Sequence, residues 1–196
     1  MVIHFKYPPG ATPIDLDEAI GLIPKHISTQ ANLNAWEEIN IVEGADWLAR
    51  QNILHRLDEG LVRELHLRMF NKTWLWAGTF RKSAKSIGID WTQIAITLKN
   101  LLDNTASQIK NKVMPIDELV VRFHHKLVLI HVFPNGNGRH ARLIADALIV
   151  KLGGKRFSWG GNNSIATLGI TRQNYLSALR AADNGDIAPL MHFARK

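Results

Sequence analysis

His131-Val-Phe-Pro-Asn-Gly-Asn-Gly-Arg-His-Ala-Arg142 sets a histidine, a glycine-alternating loop and two arginines between two long apolar segments. Leu119 to Ile130 is a helix-like apolar run. Pro134 lacks an amide N–H and disfavours helical dihedrals at Phe133, so this helix is predicted to stop at about His131. Apolar periodicity resumes at Ala141, Leu143, Ile144, Ala147 and Leu148, which predicts a second helix from near Gly138. Glycines between the two would let the backbone approach a ligand, and the free N–H groups at the second helix's start form an anion site. Arg139 and Arg142, three apart, would project toward the same anion, and His131 would stand at the rim as a base. Taken singly, each part has a plainer reading: a structural histidine, an ordinary turn, a solvated basic face. Their joint spacing points to a polyphosphate.

This string resembles the signature of Fic (Fido) domain proteins, His-x-Phe-x-(Asp or Glu)-Gly-Asn-Gly-Arg-x-x-Arg. From about Ala11 to the C-terminus the chain is most similar to the bacterial Fic subgroup called mobile mystery protein B. The resemblance implies a mainly α-helical bundle with a small β-hairpin flap, and transfer of AMP from ATP to a Ser, Thr or Tyr hydroxyl of a target protein. It implies His131 as general base, Asn137 with the amides of Asn135, Gly136 and Gly138 on the α-phosphate, and Arg139 with Arg142 on the β- and γ-phosphates. The family's acidic magnesium ligand is here the neutral Asn135, which implies a weak protein contribution to Mg²⁺, held mainly by ATP and water. Alternatives are a Doc-like phosphotransferase, whose branch has Lys at the position of Gly138, and a nucleotide-binding regulatory module of a mobile element. The subgroup name also suggests a small helix-turn-helix partner, and a homodimer is open.

Length and composition set the bounds. The chain has 196 residues, 46% of them hydrophobic, enough for one core, and we read one domain: an arm with a long helix over 1–57 and a catalytic core over 58–196. No cysteine is present, which excludes disulfides and thiolate metal sites and fits a reducing, cytoplasmic setting. No apolar run approaches the ~18 residues of a membrane span. The net charge of +7 is uneven: residues 1–109 hold 11 Lys+Arg against 12 Asp+Glu, and residues 110–196 hold 13 against 5. That asymmetry favours an anionic ligand near the loop. Direct nucleic-acid binding is disfavoured because zinc-finger spacing, an RNP motif and a basic recognition helix are all lacking.

Along the chain, Met1 to Thr12 reads as an arm, and Asp15 to Ile23 as a short helix interrupted by Pro24. From Ser28 or Thr29 a helix is expected to about Leu57, with Leu33, Trp36, Asn40, Glu43 and Trp47 on one stripe. Glu43 then faces inward. By itself that spacing suits a structural ion pair; Glu43-Gly44 also matches the end of the inhibitory helix of many Fic proteins, (Ser or Thr)-x-x-x-Glu-(Gly or Asn), with Ile39 replacing the hydroxyl residue. The resemblance therefore implies a Glu43 to Arg142 inhibitory pair.

Gly60 is expected to separate that helix from another over Leu61 to Trp76, with Trp74 and Trp76 in the core. Thr79 to Asp90 reads as a hairpin or extended loop, and Gly78-Thr-Phe-Arg81 resembles the family element before its flap. Lys85, Ser86, Ile87 and Gly88 are the expected flap positions, pairing with the target's backbone as an added strand. Thr92 to Ile109 is a predicted helix, and Pro115 or Ile116 opens the helix that delivers His131. His124 and His125 are adjacent on that helix, about 100° apart, and ill-placed to share a metal. Thr171 is expected to cap a last helix to about Ala182, where Arg172-x-x-Tyr175 and Asp183 resemble the family's adenine border. Tyr175 and Asp183 are thereby implied adenosine contacts.

Overall fold

The computed structural model describes residues 15–161 and 169–196; the arm expected over Met1–Thr12 lies outside them. The fold is mainly helical. A short α1 (Leu16–Ala19) precedes α2 (Gln30–Ala49), α3 (Glu59–Phe70), a 3₁₀ turn at Trp91–Gln93, α4 (Ile94–Asn111), α5 (Ile116–Ile130), α6 (Asn137–Lys151), α7 (Ile170–Asp183) and α8 (Ala188–Arg195). Helix α5 is central, packed between α4 and α6 with α8 against it, while α2 lies along α3 and touches α6. Local chemistry marks the ends. Thr29 caps α2 through a bond from the Asn32 amide (3.2 Å), and Asp58 caps α3 through the Leu61 amide (2.7 Å). Lys112 closes α4 and His131 closes α5, both in the left-handed region.

Three expected boundaries move. Helix α2 stops at Ala49, and Gly60 lies inside the first turn of α3, because Asp58 two residues earlier starts that helix. Helix α3 ends at Phe70, and Trp74 and Trp76 stack on each other from the turns that follow (4.9 Å, 20°). Helix α7 starts at Ile170, so Thr171 is a buried residue of its first turn and not its cap.

The stripe expected on α2 is also rotated. Its buried face is Leu33, Glu37, Asn40, Gly44 and Leu48, whereas Trp36 is 37% exposed and Glu43 points outward. Both sets have helical spacing, and packing chose between them. A Cβ at Gly44 would stand 2.7 Å from Met69 Cγ, so the glycine marks where α2 and α3 come closest. Asn40 then fixes the register, accepting from the Lys72 amide (3.0 Å) and donating to the Arg68 carbonyl (3.1 Å).

The expected hairpin is absent among the described residues. Residues 79–90 form an irregular loop, and the pairing nearest to it is an isolated antiparallel bridge between Leu22 and Trp74. Its backbone is tied at the ends by the Thr79 amide to the Trp76 carbonyl (2.9 Å) and the Gln93 amide to the Asp90 carbonyl (3.0 Å), and by the Arg81 amide to the Val132 carbonyl (3.1 Å); side chains supply further fastenings.

Candidate active site

The loop between α5 and α6 is held by its own residues. Asn137 Oδ1 accepts from the Phe133 amide (2.9 Å) and Nδ2 donates to the Phe133 carbonyl (2.8 Å), closing a ring across Pro134 and Gly136. Gly136 sits at φ 79°, where a Cβ would lie 2.6 Å from the Phe70 ring, so both backbone and space require glycine there. Asn135 Oδ1 accepts from the Gly136 amide (2.6 Å). The amides of α6's first turn then open toward the site with the positive end of the helix dipole behind them. Asn137 thus departs from its expected role. Its side chain is committed to the Phe133 peptide, which leaves its backbone amide for a phosphate.

Behind the loop stands His66, a residue the sequence reading passed over. It is fully buried, stacked on Phe133 (3.7 Å, 18°), and its Nδ1 accepts from the Gly78 amide (2.9 Å). That fixes the proton on Nε2, which donates to the Asn135 carbonyl (3.1 Å). Burial is the main reason its pKa lies well below the usual histidine value, with the charges of His140 and Arg139 adding to it. A histidine at a buried position of α3, beside Leu65 and Met69, was the available signal.

His131 adopts φ 54°, ψ 62° at the end of α5 and is 4% exposed, so it lies beneath the 79–90 loop and not at the rim. The cover is close: a Cβ at Gly88 would come within 2.6 Å of His131 Cβ. Burial first, then the charges of Arg81 and Lys85, push the imidazole down to about 4. The preference of a helix C-terminus for imidazolium is therefore overruled, and the ring is neutral at pH 7.

Arg81 fastens this arrangement. It is 2% exposed, and its guanidinium donates to the carbonyls of His131 (2.6 Å), Ser83 (2.8 Å), Ile89 and Ile130 (3.4 Å). It satisfies the last carbonyls of α5 and gathers both limbs of the loop over the base. The sequence element Gly78-Thr-Phe-Arg81 pointed to this position without its role.

The expected loop contacts separate into two groups. Ser86, Ile87 and Gly88 are exposed, as a docking edge requires. Lys85 is not available in that way: its side chain is 3% exposed and its ammonium binds Asp15 and Glu18 (2.6 Å each). A cation buried under α1 must be paired, and the acids of Asp15-x-x-Glu18 supply that pairing.

Of the two arginines expected on the phosphates, Arg139 donates from Nη1 to Glu37 Oε2 (2.6 Å) and lies over Phe70 (5.0 Å). Arg142 lies over the Tyr175 ring (5.3 Å). The expected Glu43 to Arg142 pair does not form. Glu43 Oε1 meets Lys72 Nζ (2.5 Å) with both side chains about half exposed, because the rotated stripe carries Glu43 to the outer face of α2. Tyr175 is buried, its hydroxyl within 3.1 Å of His124 Nε2 and near Gly138. Asp183 pairs through Oδ1 with His125 Nε2 (2.8 Å), which ties it to α5. Arg172, one turn before Tyr175, is a further cation of this face; burial chiefly, then the charge of Arg142, lowers its pKa.

Residues 56–149 match the model of the Fic/DOC family. The protein adenylyltransferase fic-1 of Caenorhabditis elegans is 26% identical over 140 residues, which is 69% of this chain and 26% of that protein. The protein adenylyltransferase Fic of Nematostella vectensis is 34% identical over 79 residues, 40% of this chain and 17% of that protein. The chain thus spans about a quarter of the length of such relatives. Among solved structures, a Fic-1 fragment from C. elegans superposes with a TM-score of 0.65 at 24% identity, covering 82% of this chain and 48% of that one. The Bartonella tribocorum effector BepC with bound AMPPNP gives 0.67 at 18%, covering 88% and 89%. These likenesses show a shared fold over most of the chain, and the stretch that matches the Fic/DOC family model, 56–149, holds His131, the loop and both arginines.

Proposed function

We propose that the chain is a protein adenylyltransferase, transferring AMP from ATP to a hydroxyl side chain of a target protein. The observation that carries this reading is the neutral His131 set against an amide-lined loop whose helix bears Arg139 and Arg142. The adenylyltransferase names of the relatives and the ATP analogue in BepC support it. His131 accepts the proton of the target hydroxyl while its oxygen bonds to the α-phosphorus and the bond to pyrophosphate breaks. Loop amides and arginines hold the charge that gathers on the phosphate oxygens. An imidazole at about 4 is a weak base, and the phosphates of bound ATP would raise it toward the working range.

Mg²⁺ has no carboxylate at the loop. Asn135 Oδ1 is turned to the Gly136 amide and toward Arg139, and the described residues include no cluster of three His, Asp or Glu able to hold a metal. The donor set does not fit a protein-held ion, and any Mg²⁺ would arrive on the ATP phosphates. No helix among the described residues is long and apolar enough to cross a membrane. Light scattering, alone and with a small helix-turn-helix protein, tests the two assemblies this reading allows.

Labelled ATP, added to the protein with and without a cell lysate, tests the activity. His131→Ala should lower transfer about a hundredfold or more while ATP affinity stays within about twofold, since the ring touches no phosphate. Undiminished transfer in that variant would place the base elsewhere.

A further inference from the structure

Glu37 lies on the buried face of α2, remote in sequence from the loop, and is 3% exposed. Both of its oxygens are occupied. Oε1 accepts from the Trp74 indole (2.7 Å), and Oε2 from Arg139 Nη1 (2.6 Å). Trp74 is itself 1% exposed and stacked on Trp76, so the carboxylate hangs from a rigid support. One turn further on, Asn40 locks the register of α2.

We propose that Glu37 is a positioning residue of the nucleotide site, setting the plane of the Arg139 guanidinium for the terminal phosphates of ATP. The inference rests on the adenylyltransferase reading. A guanidinium has five N–H groups in a fixed fork. Glu37 takes one from Nη1, the Phe70 face limits the tilt, and the Asn135 side chain lies 3.4 Å from Nη2, a weak contact. Donors remain for an anion, and the Arg139 side chain keeps 25% of its surface open to receive one. Glu37 itself is not placed to compete with phosphate. Leaving Arg139 would strand a buried carboxylate, a costly outcome, so it acts as a fixed anchor. It also supplies the charge that balances Arg139 in a loop where position 135 is neutral. Helix α2 is by this account part of the site, through Glu37 and with a sign opposite to inhibition.

The test titrates ATP and AMP calorimetrically into the full chain, and follows the Arg139 side-chain N–H signal by ¹⁵N NMR without nucleotide. Glu37→Gln should weaken ATP about tenfold and leave AMP unchanged, because AMP lacks the phosphates Arg139 would meet. Trp74→Phe, which keeps the carboxylate and removes its support, should act in the same direction and more weakly; it also serves if Glu37→Gln fails to fold. In an Arg139→Ala background Glu37→Gln should add no further loss. Tighter ATP binding by Glu37→Gln would overturn the proposal by making the carboxylate an obstacle, as would an equal loss for ATP and AMP. If the wild type binds neither nucleotide, the adenylyltransferase reading fails, and the NMR arm still decides on Glu37. An Arg139 signal that is sharp and restricted in the wild type and averaged in Glu37→Gln supports positioning, and an unchanged signal refutes it.

Discussion

The loop 132–137 and the segment 79–90 border the same residue, His131, yet they are held in different ways. In the loop, fixation is local: Asn137 closes on the peptide of Phe133 four residues back, and Gly136 takes the one conformation and the one space that glycine permits. The segment 79–90 has no ladder of its own. Arg81 reaches fifty residues ahead to the carbonyl of His131, and Lys85 reaches back to Asp15 and Glu18. The loop is closed by its own neighbouring residues, whereas the segment over it combines Arg81's bonds to the Ser83 and Ile89 carbonyls with ties to residues far along the chain.

Arg81→Ala should break that comparison most severely. It strands carbonyls of both limbs and of the α5 terminus, at ~1 to 3 kcal/mol for each that water cannot reach. A total of roughly 4 kcal/mol corresponds to about 8 to 16 °C in melting temperature for a domain of this size. Scanning calorimetry measures it, and a loss under about 1 kcal/mol would show that the clasp is dispensable.

Acid should separate the two regions in the other direction. His66, His124, His131 and His140 are all buried neutral, with pKa lowered chiefly by burial: to about 3 for His124 and to about 4 for His131 and His140. The unfolded chain binds these protons near 6.5, so their contribution is complete above that pH and is lost as pH falls from 6.5 toward 4, and to 3 for His124. At pH 5.5 each of His124, His131 and His140 costs about 1.4 kcal/mol, with the raised Asp146 carboxyl working against the trend. Asp15, held below its ordinary value mainly by its bond to Lys85, keeps the fastening of the 79–90 segment charged throughout that window. Amide protection, corrected for the slower intrinsic exchange at lower pH, should thus fall between pH 7 and 5 at residues 132–137 before residues 79–90. The reverse order would mean that the cover, not the loop, is the acid-sensitive part.

The smallest effect belongs to Glu43. Its pair with Lys72 is solvent-exposed, so Glu43→Gln should change stability by no more than about 0.5 kcal/mol and leave AMP transfer unaltered. A gain in transfer would restore Glu43 as an inhibitor and sharpen the contrast with Glu37, which sits six residues earlier on the same helix.

How far the chain could be read without coordinates follows the same division. The loop and the placing of His131, Arg139 and Arg142 about it were legible because proline, glycine and helix-start chemistry act within four or five residues, and the string between His131 and Arg142 contains nearly all its own reasons. Helix existence was legible from periodicity. The facing of α2 was not, since Leu33-Trp36-Asn40-Glu43 and Leu33-Glu37-Asn40-Gly44 have equally helical spacing. That choice was made by the closeness of Gly44 to Met69, and it placed Glu37 on Arg139 while turning Glu43 to solvent. Arg81, His66 and Lys85 share this origin. Each carries a polar group whose partner lies far along the chain, and a buried polar group takes its meaning from the partner that only packing brings to it. The sequence by itself thus determined the glycine loop between two helices and the placing of His131, Arg139 and Arg142 about it, and the tertiary structure decided which distant side chains hold that loop, bury and neutralise His131 and engage Arg139.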